Sequence, residues 1–192
     1  VTLPDLSEEY FCVDVEAAGP IPGDYSLLSI GACKVLDPET TFYIELRPVN
    51  ENRTPEATAV HQLSLNTLMA EGIPPALAME QFDAWLLKWT ADSKVPVFVA
   101  FNAPFDWMFI NYYFLHYLGR NPFGHAALDI KAFYMGQSGV SWLKTAWRFI
   151  TPQIDVRPAL THHALQDALD QANLFKKLLQ AQNHISSNRG ES

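Results

Sequence analysis

Tyr10-Phe11-Cys12-Val13-Asp14-Val15-Glu16 is the stretch from which the fold can be read outward. It is short, aromatic and β-branched, and it runs into Gly19, Pro20, Pro22 and Gly23, so it reads as a β-strand entering a loop. Residues i and i+2 of a strand point to one face, so Asp14 and Glu16 project together from an otherwise apolar element. Two like charges side by side repel and lose hydration unless a cation lies between them. Alone, the pair reads either as the solvated face of an edge strand or as a cation site.

Two further strand-like runs follow, residues 26–36 and 41–46, with Asp37 and Pro38 marking the turn between them. Three antiparallel strands are therefore expected at the start. Phe82, Trp85, Leu86 and Trp89 then fall at i, i+3, i+4 and i+7, a helical apolar stripe. Residues 95–100 (VPVFVA) resemble a buried strand with Pro96 at its start, and residues 105–118 are apolar almost all round, as in a buried helix. Residues 127–130 supply a last short strand, and Leu165, Ala168, Leu169, Ala172, Phe175 and Leu179 keep helical register through a long final helix. The expected fold is an α/β domain with a mixed five-stranded sheet, the last strands parallel, flanked by helices. A length of 192 residues suits one domain, placed at 10–181, with an extension at 1–9 and a frayed polar tail at 182–192.

No run approaches the roughly 20 apolar residues of a membrane span, and residues 1–9 are polar and acidic, so neither a membrane protein nor a signal peptide is expected. Cys12 and Cys33 lie inside apolar runs and lack C-x-x-C spacing. Buried free thiols in a reducing cytoplasm are expected, ahead of a disulfide or a metal site. The formal charge of −8 argues against a wide, non-specific grip on nucleic acid. It leaves a nucleic-acid enzyme open, because acids that hold metal ions inflate the negative count.

Two later segments also carry acids. Asp106 lies in Ala100-Phe101-Asn102-Ala103-Pro104-Phe105-Asp106, directly after a strand and at the start of the apolar helix. It reads as a first-turn acid favoured by the helix dipole, with Asn102 as turn residue or cap, or as part of a ligand site at a strand end. Asp167 lies in His162-His163-Ala164-Leu165-Gln166-Asp167-Ala168, which opens the last helix. A histidine near a helix N-terminus is kept neutral by the positive dipole end, as a general base must be; the other reading is a pair of exposed turn histidines.

Taken in order, Asp14-Val15-Glu16 with Gly19, the segment ending in Asp106, and His162 to Asp167 resemble the DEDDh 3′–5′ exonucleases, the DnaQ-like branch of the ribonuclease H-like superfamily. Ser29-Ile30-Gly31-Ala32, Val60-His61-Gln62-Leu63-Ser64 and Asp129 are softer matches, and the resemblance covers residues 10–181. His162, five before Asp167, holds the histidine place of this branch, with His163 as the fallback. Ala17-Ala18 departs from the hydroxyl or Met-Thr residues common there, and the loop Pro20–Asp24 is unusual, which puts sugar selectivity in doubt.

The resemblance implies two divalent cations, Mg²⁺ or Mn²⁺, roughly 3.5–4 Å apart, held by Asp14, Glu16, Asp106 and Asp167. It implies His162 as general base, a free 3′ end of single-stranded DNA or RNA as substrate, and nucleoside 5′-monophosphates as product. Substrate contacts are expected from the Ala17 and Ala18 backbone, His61, Asn102, Phe105 and Tyr113. Tyr113 and Phe109 are each read as stacking rings or as core, with Phe109 the more core-like. Trp142, Lys144, Trp147 and Arg148 form a mixed aromatic and basic segment that either meets the strand or packs. Asp129 reads as a supporting acid. A homodimer mate or larger complex is a candidate second partner. Two other classes remain beside the exonuclease: a catalytically silent binding or scaffold module of the same fold, and a phosphoesterase for small molecules.

Overall fold

The computed structural model describes residues 7–61, 63–154, 156 and 161–189. Strands β1 (Glu8–Ala17), β2 (Leu27–Lys34) and β3 (Thr41–Glu45) are antiparallel neighbours, and β4 (Val95–Ala100) and β5 (Ala127–Asp129) extend the sheet in parallel, in the order β3-β2-β1-β4-β5. Around them lie α1 (Pro55–His61), α2 (Leu65–Glu71), α3 (Pro75–Trp89), α4 (Pro104–Leu118), α5 (Ile130–Ser138), α6 (Trp147–Ile154) and α7 (Ala164–Arg189), with a single 3-10 turn at Trp142–Lys144. The expected mixed five-stranded sheet is the one observed.

Two boundaries differ. β1 begins at Glu8, inside the expected N-terminal extension, because its parallel ladder with β4 reaches back to the pair Glu8–Val95. Glu9 is held there between Lys34 at 3.4 Å and Lys94 at 3.6 Å. α7 continues to Arg189, into the span expected to be a frayed tail; no proline or glycine interrupts the chain before Gly190.

Alternation along β1 divides the core. Phe11, Val13 and Val15 pack on one face of the sheet with Met79, Phe82, Phe109 and Phe114 of α3 and α4. Tyr10 and Cys12 pack on the other with Ile130, Tyr134 and Phe175 of α5 and α7. Asp14 and Glu16 continue the even-numbered series, so β1 delivers both carboxylates to the α7 face. Cys12 and Cys33 are cross-strand partners on that face, buried and unbridged.

Two features of the sheet open space for the acids. β4 stops early: its last pair with β1 is Cys12–Val99, so β1 from Val13 onward has no ladder partner on that side. On the other side Asp14 faces Gly31 of β2, and a Cβ at Gly31 would collide with the backbone of Ala164 and Leu165. The missing side chain lets the first turn of α7 rest directly on β2, beside Asp14. Among the described residues, no helix is long and apolar enough to cross a membrane.

Candidate active site

Asp14, Glu16 and Asp167 each place a ligand atom within 4.8 Å of the others. Asp106, in the first turn of α4, reaches the same place: its Oδ1 accepts a hydrogen bond from the Val15 N–H at 3.1 Å. That N–H lies in the part of β1 that β4 no longer covers, so Asp106 occupies the position the next strand residue would have taken. It is thereby fixed between the two carboxylates of β1. Asp129 supports the arrangement, with one oxygen accepting from Ala103 N–H and the other from Ala132 N–H, each at 2.7 Å. It caps α5 and anchors the residue before α4, the supporting role expected of it.

The electrostatics are those of a site built for cations. Burial, then repulsion from Asp106, Glu16 and Asp167, pushes the Asp14 carboxyl well above the usual range. Burial and the Asp167 and Asp106 charges push Glu16 up to about 8. Burial raises Asp106 to about 7 against two backbone hydrogen bonds that lower it, and burial raises Asp167 as well. No lysine or arginine among the described residues forms an ion pair with these four acids. Clustered, partly desolvated carboxylates without a basic partner are the donor set of hard divalent cations.

A pH dependence follows for the cation-free protein. Unfolded carboxyls ionise near pH 4, whereas Glu16 and Asp106 in the folded state keep protons up to about 8 and about 7. Between these limits the folded state binds more protons, so stability is greatest at the acid end and falls as pH rises toward 8. Mg²⁺ replaces those protons, so its stabilisation is expected to be larger at pH 8 than at pH 5.5. At 100 times its dissociation constant the cation adds about 2.7 kcal/mol, about 5–10 °C in Tm for a domain of this size. Thermal melts with Mg²⁺ and with a chelator at both pH values check this; an equal shift at both contradicts it.

Gln171 is a functional position that the sequence reading missed. It is only 5% exposed; its Nε2 donates to Asp14 Oδ1 at 2.7 Å and its Oε1 accepts from Phe101 N–H at 2.8 Å. The amide thus ties the carboxylate of β1 to the residue after β4. A signal was available: Gln171 is four residues past Asp167, so the two share a helix face. Replacing Gln171 by Leu keeps the volume and removes both bonds. Activity is expected to fall about 10- to 100-fold, with more Mg²⁺ needed for half-maximal rate. Initial rates across a Mg²⁺ titration measure this, and an unchanged activation curve would contradict the positioning role.

The two histidines have different surroundings. His163 stacks on Tyr43, ring centroids 4.5 Å apart and planes 20° from parallel. His162 is exposed and holds a left-handed backbone with φ 51°. The turn between them and the helix is tied down by Asp167 Oδ1, which accepts from Thr161 N–H at 3.3 Å.

Beside the acids, at the Ala17 end of β1, is a cavity of about 450 Å³ walled by Glu16, Ala17, Pro20, Val60 and Phe105, with Thr54 and Glu56 from the start of α1. Its size is that of a small-molecule pocket. Phe105 lines it and is 36% exposed. Tyr113 does not reach it, a correction: it is 2% exposed in the core, and its hydroxyl accepts the Leu27 N–H at 2.8 Å. Phe109 is likewise core. Ala18 is also corrected as a backbone contact, since its N–H donates to Ser26 and its carbonyl accepts from Thr54, both at 2.9 Å. Asn102 is exposed with φ 66° and takes a hydrogen bond from Lys131, away from the cavity wall. The His61 side chain lies outside the described residues. From α1 the wall takes Glu56 and Val60, and Val60 opens the segment Val60-His61-Gln62-Leu63-Ser64 marked in the sequence as a softer match.

Against this geometry, three comparisons locate the chain. It is 48% identical over 169 residues, 88% of its length and 90% of the relative, to the 3′-5′ DNA exonuclease Cap18 of Escherichia coli. Its fold matches the nuclease domain of 3′hExo, described as a DEDDh family member bound to rAMP, with TM-score 0.71, 17% identity, and 91% and 92% of the two chains covered. It also matches E. coli Exonuclease I in complex with a dT13 oligonucleotide, with TM-score 0.71 and 14% identity, over 94% of this chain and 43% of that one. No family model matches. The chain belongs to the 3′–5′ exonuclease family of Cap18, and its fold is that of the DEDDh nuclease domain of 3′hExo.

Proposed function

We propose that the chain shortens single-stranded DNA from a free 3′ end, releasing nucleoside 5′-monophosphates in a reaction that needs two divalent cations. The reading rests on one observation above the others: Asp14, Glu16 and Asp167 converge within 4.8 Å, with Asp106 bonded to the backbone between the first two. DNA is favoured over RNA by the activity named for the relative at 48% identity.

Asp14, Glu16, Asp106 and Asp167 would hold the cations, magnesium or manganese by the hardness of an all-carboxylate donor set. Bound there, the cations supply activation of the attacking water and stabilisation of the departing 3′ oxygen. Asp14, central to the cluster and oriented by Gln171, would serve both cations, with Glu16, Asp167 and Asp106 completing the donor set. His162 accepts the proton of the attacking water at its imidazole nitrogen. The 450 Å³ cavity takes the terminal nucleoside, with Phe105 offering a ring face to the base. The unbridged thiols Cys12 and Cys33 fit a reducing cytoplasm.

The test is a digest of matched DNA and RNA strands, with Mg²⁺ and with Mn²⁺, carrying free or blocked 3′ ends. Stepwise loss of mononucleotides from the free 3′ end, abolished by blocking or chelation, is expected. Strand binding without shortening in every arm points instead to a silent binding module.

A further inference from the structure

An uninterrupted stretch of this acidic chain, residues 130–154, contains Lys131, Lys144 and Arg148 and no aspartate or glutamate. The fold places that stretch against the acids. Phe101, directly after β4, stacks on Trp147 with centroids 4.5 Å apart, and both rings line a cleft of about 140 Å³ with Asp14, Asp167, Asp170 and Gln171. Lys131 of α5 lies outside them: its Nζ is 5.9 Å from the Phe101 ring, 4.3 Å from the Trp142 ring and 3.3 Å from Asn102 Oδ1. Trp142 itself is 48% exposed, and Lys144 and Arg148 lie over the Phe149 ring.

β1 sets the direction. The cleft of Phe101 and Trp147 touches β1 at Asp14, whereas the larger cavity touches it at Glu16 and Ala17. At about 3.3 Å per residue, Asp14 and Ala17 are about 10 Å apart along the strand. The carboxylate cluster therefore has an apolar pocket on one side and, on the other, the cleft walled by Phe101 and Trp147 with Lys131 outside it. A strand whose scissile phosphate lies at the cluster, with its last nucleoside in the pocket, leaves by the second side.

We propose that Lys131 and Trp142, reached past Phe101 and Trp147, form the track for the strand upstream of the scissile phosphate, Trp142 stacking a base and Lys131 pairing a backbone phosphate. The proposal rests on the exonuclease reading for its direction. It accounts for how an acidic chain holds a polyanion: the positive surface is local and adjoins the site. Stacking on a single ring and one phosphate contact are the two elements that sequence-tolerant single-strand grooves combine.

The experiment measures binding and turnover separately. Fluorescence anisotropy with Mg²⁺ follows a 5′-dye-labelled oligo(dT) octamer and a dinucleotide, both with a free 3′ end and a non-hydrolysable last linkage. Rates are taken on the same lengths with hydrolysable linkages. Trp142→Ala is expected to weaken octamer binding at least fivefold and dinucleotide binding less than twofold, and Trp142→Phe to recover most of the loss. Lys131→Gln is expected to lower the slope of log affinity against log salt by about 0.7, the share of one single-strand phosphate. Circular dichroism confirms that each variant folds. Octamer affinity unchanged in both variants overturns the track, as does an equal loss on octamer and dinucleotide. A wild-type chain that binds the octamer but never shortens it refutes the exonuclease reading, while the binding comparison still decides the track.

Discussion

Asp14→Asn is expected to lower strand cleavage by about three orders of magnitude or more while the protein stays folded. Asparagine preserves the shape of the side chain and the oxygen that accepts from Gln171 Nε2. What it removes is the negative charge at the centre of the cluster, which Asp106, Glu16 and Asp167 all face. Cation-assisted charge stabilisation contributes several kcal/mol to a phosphoryl transition state, and each 1.4 kcal/mol is a tenfold rate. Stability should move the other way: deleting one of several mutually repelling carboxylates leaves the cation-free Tm unchanged or higher. Single-turnover assays on a labelled strand, paired with thermal melts, check both halves. Cleavage within tenfold of wild type would refute the assignment of the site. A collapsed Tm would mean that Asp14 is a structural group.

His162→Asn is expected to cost about 10²- to 10⁴-fold in kcat, the usual range for a general base. Asparagine is the suitable replacement because position 162 has φ 51°, a left-handed conformation that asparagine tolerates and alanine does not. The variant therefore removes the proton acceptor without straining the turn that carries Asp167. The discriminating readout is the pH profile: the acid limb of kcat/KM, which reports ionisation of the base in the free enzyme, should vanish. His163→Asn, which loses only the stacked contact with Tyr43, should retain both the limb and most of the rate. If His163→Asn proves the more damaging, the base has been assigned to the wrong residue.

Much of the site was legible because its acids lie in segments of simple local grammar. Asp14 and Glu16 share a face in any strand, and Asp106 and Asp167 lie in first turns of helices whose starts the residue pattern marks. The errors arose where local pattern is silent. Tyr113 follows Asp106 by two helical turns and so shares its general direction, yet α4 packs that ring against the core, where its hydroxyl accepts the Leu27 N–H. Ala18 was expected to leave its backbone free, but the loops from residues 26 and 54 close on both of its polar groups. Gln171 shares a helix face with Asp167, but only the fold brings its amide to a carboxylate 157 residues earlier in the chain.

Sequence by itself determined that β1 carries two carboxylates on one face and that a further acid opens each of two later helices. Those are consequences of 2.0- and 3.6-residue periodicity, which neighbours along the chain suffice to set. Tertiary structure alone decided that they meet. The early end of β4 exposed the Val15 N–H to Asp106, 91 residues away, and the bare backbone of Gly31 let α7 settle beside Asp14. Contacts at such separations depend on strand order and close packing, which no local window contains.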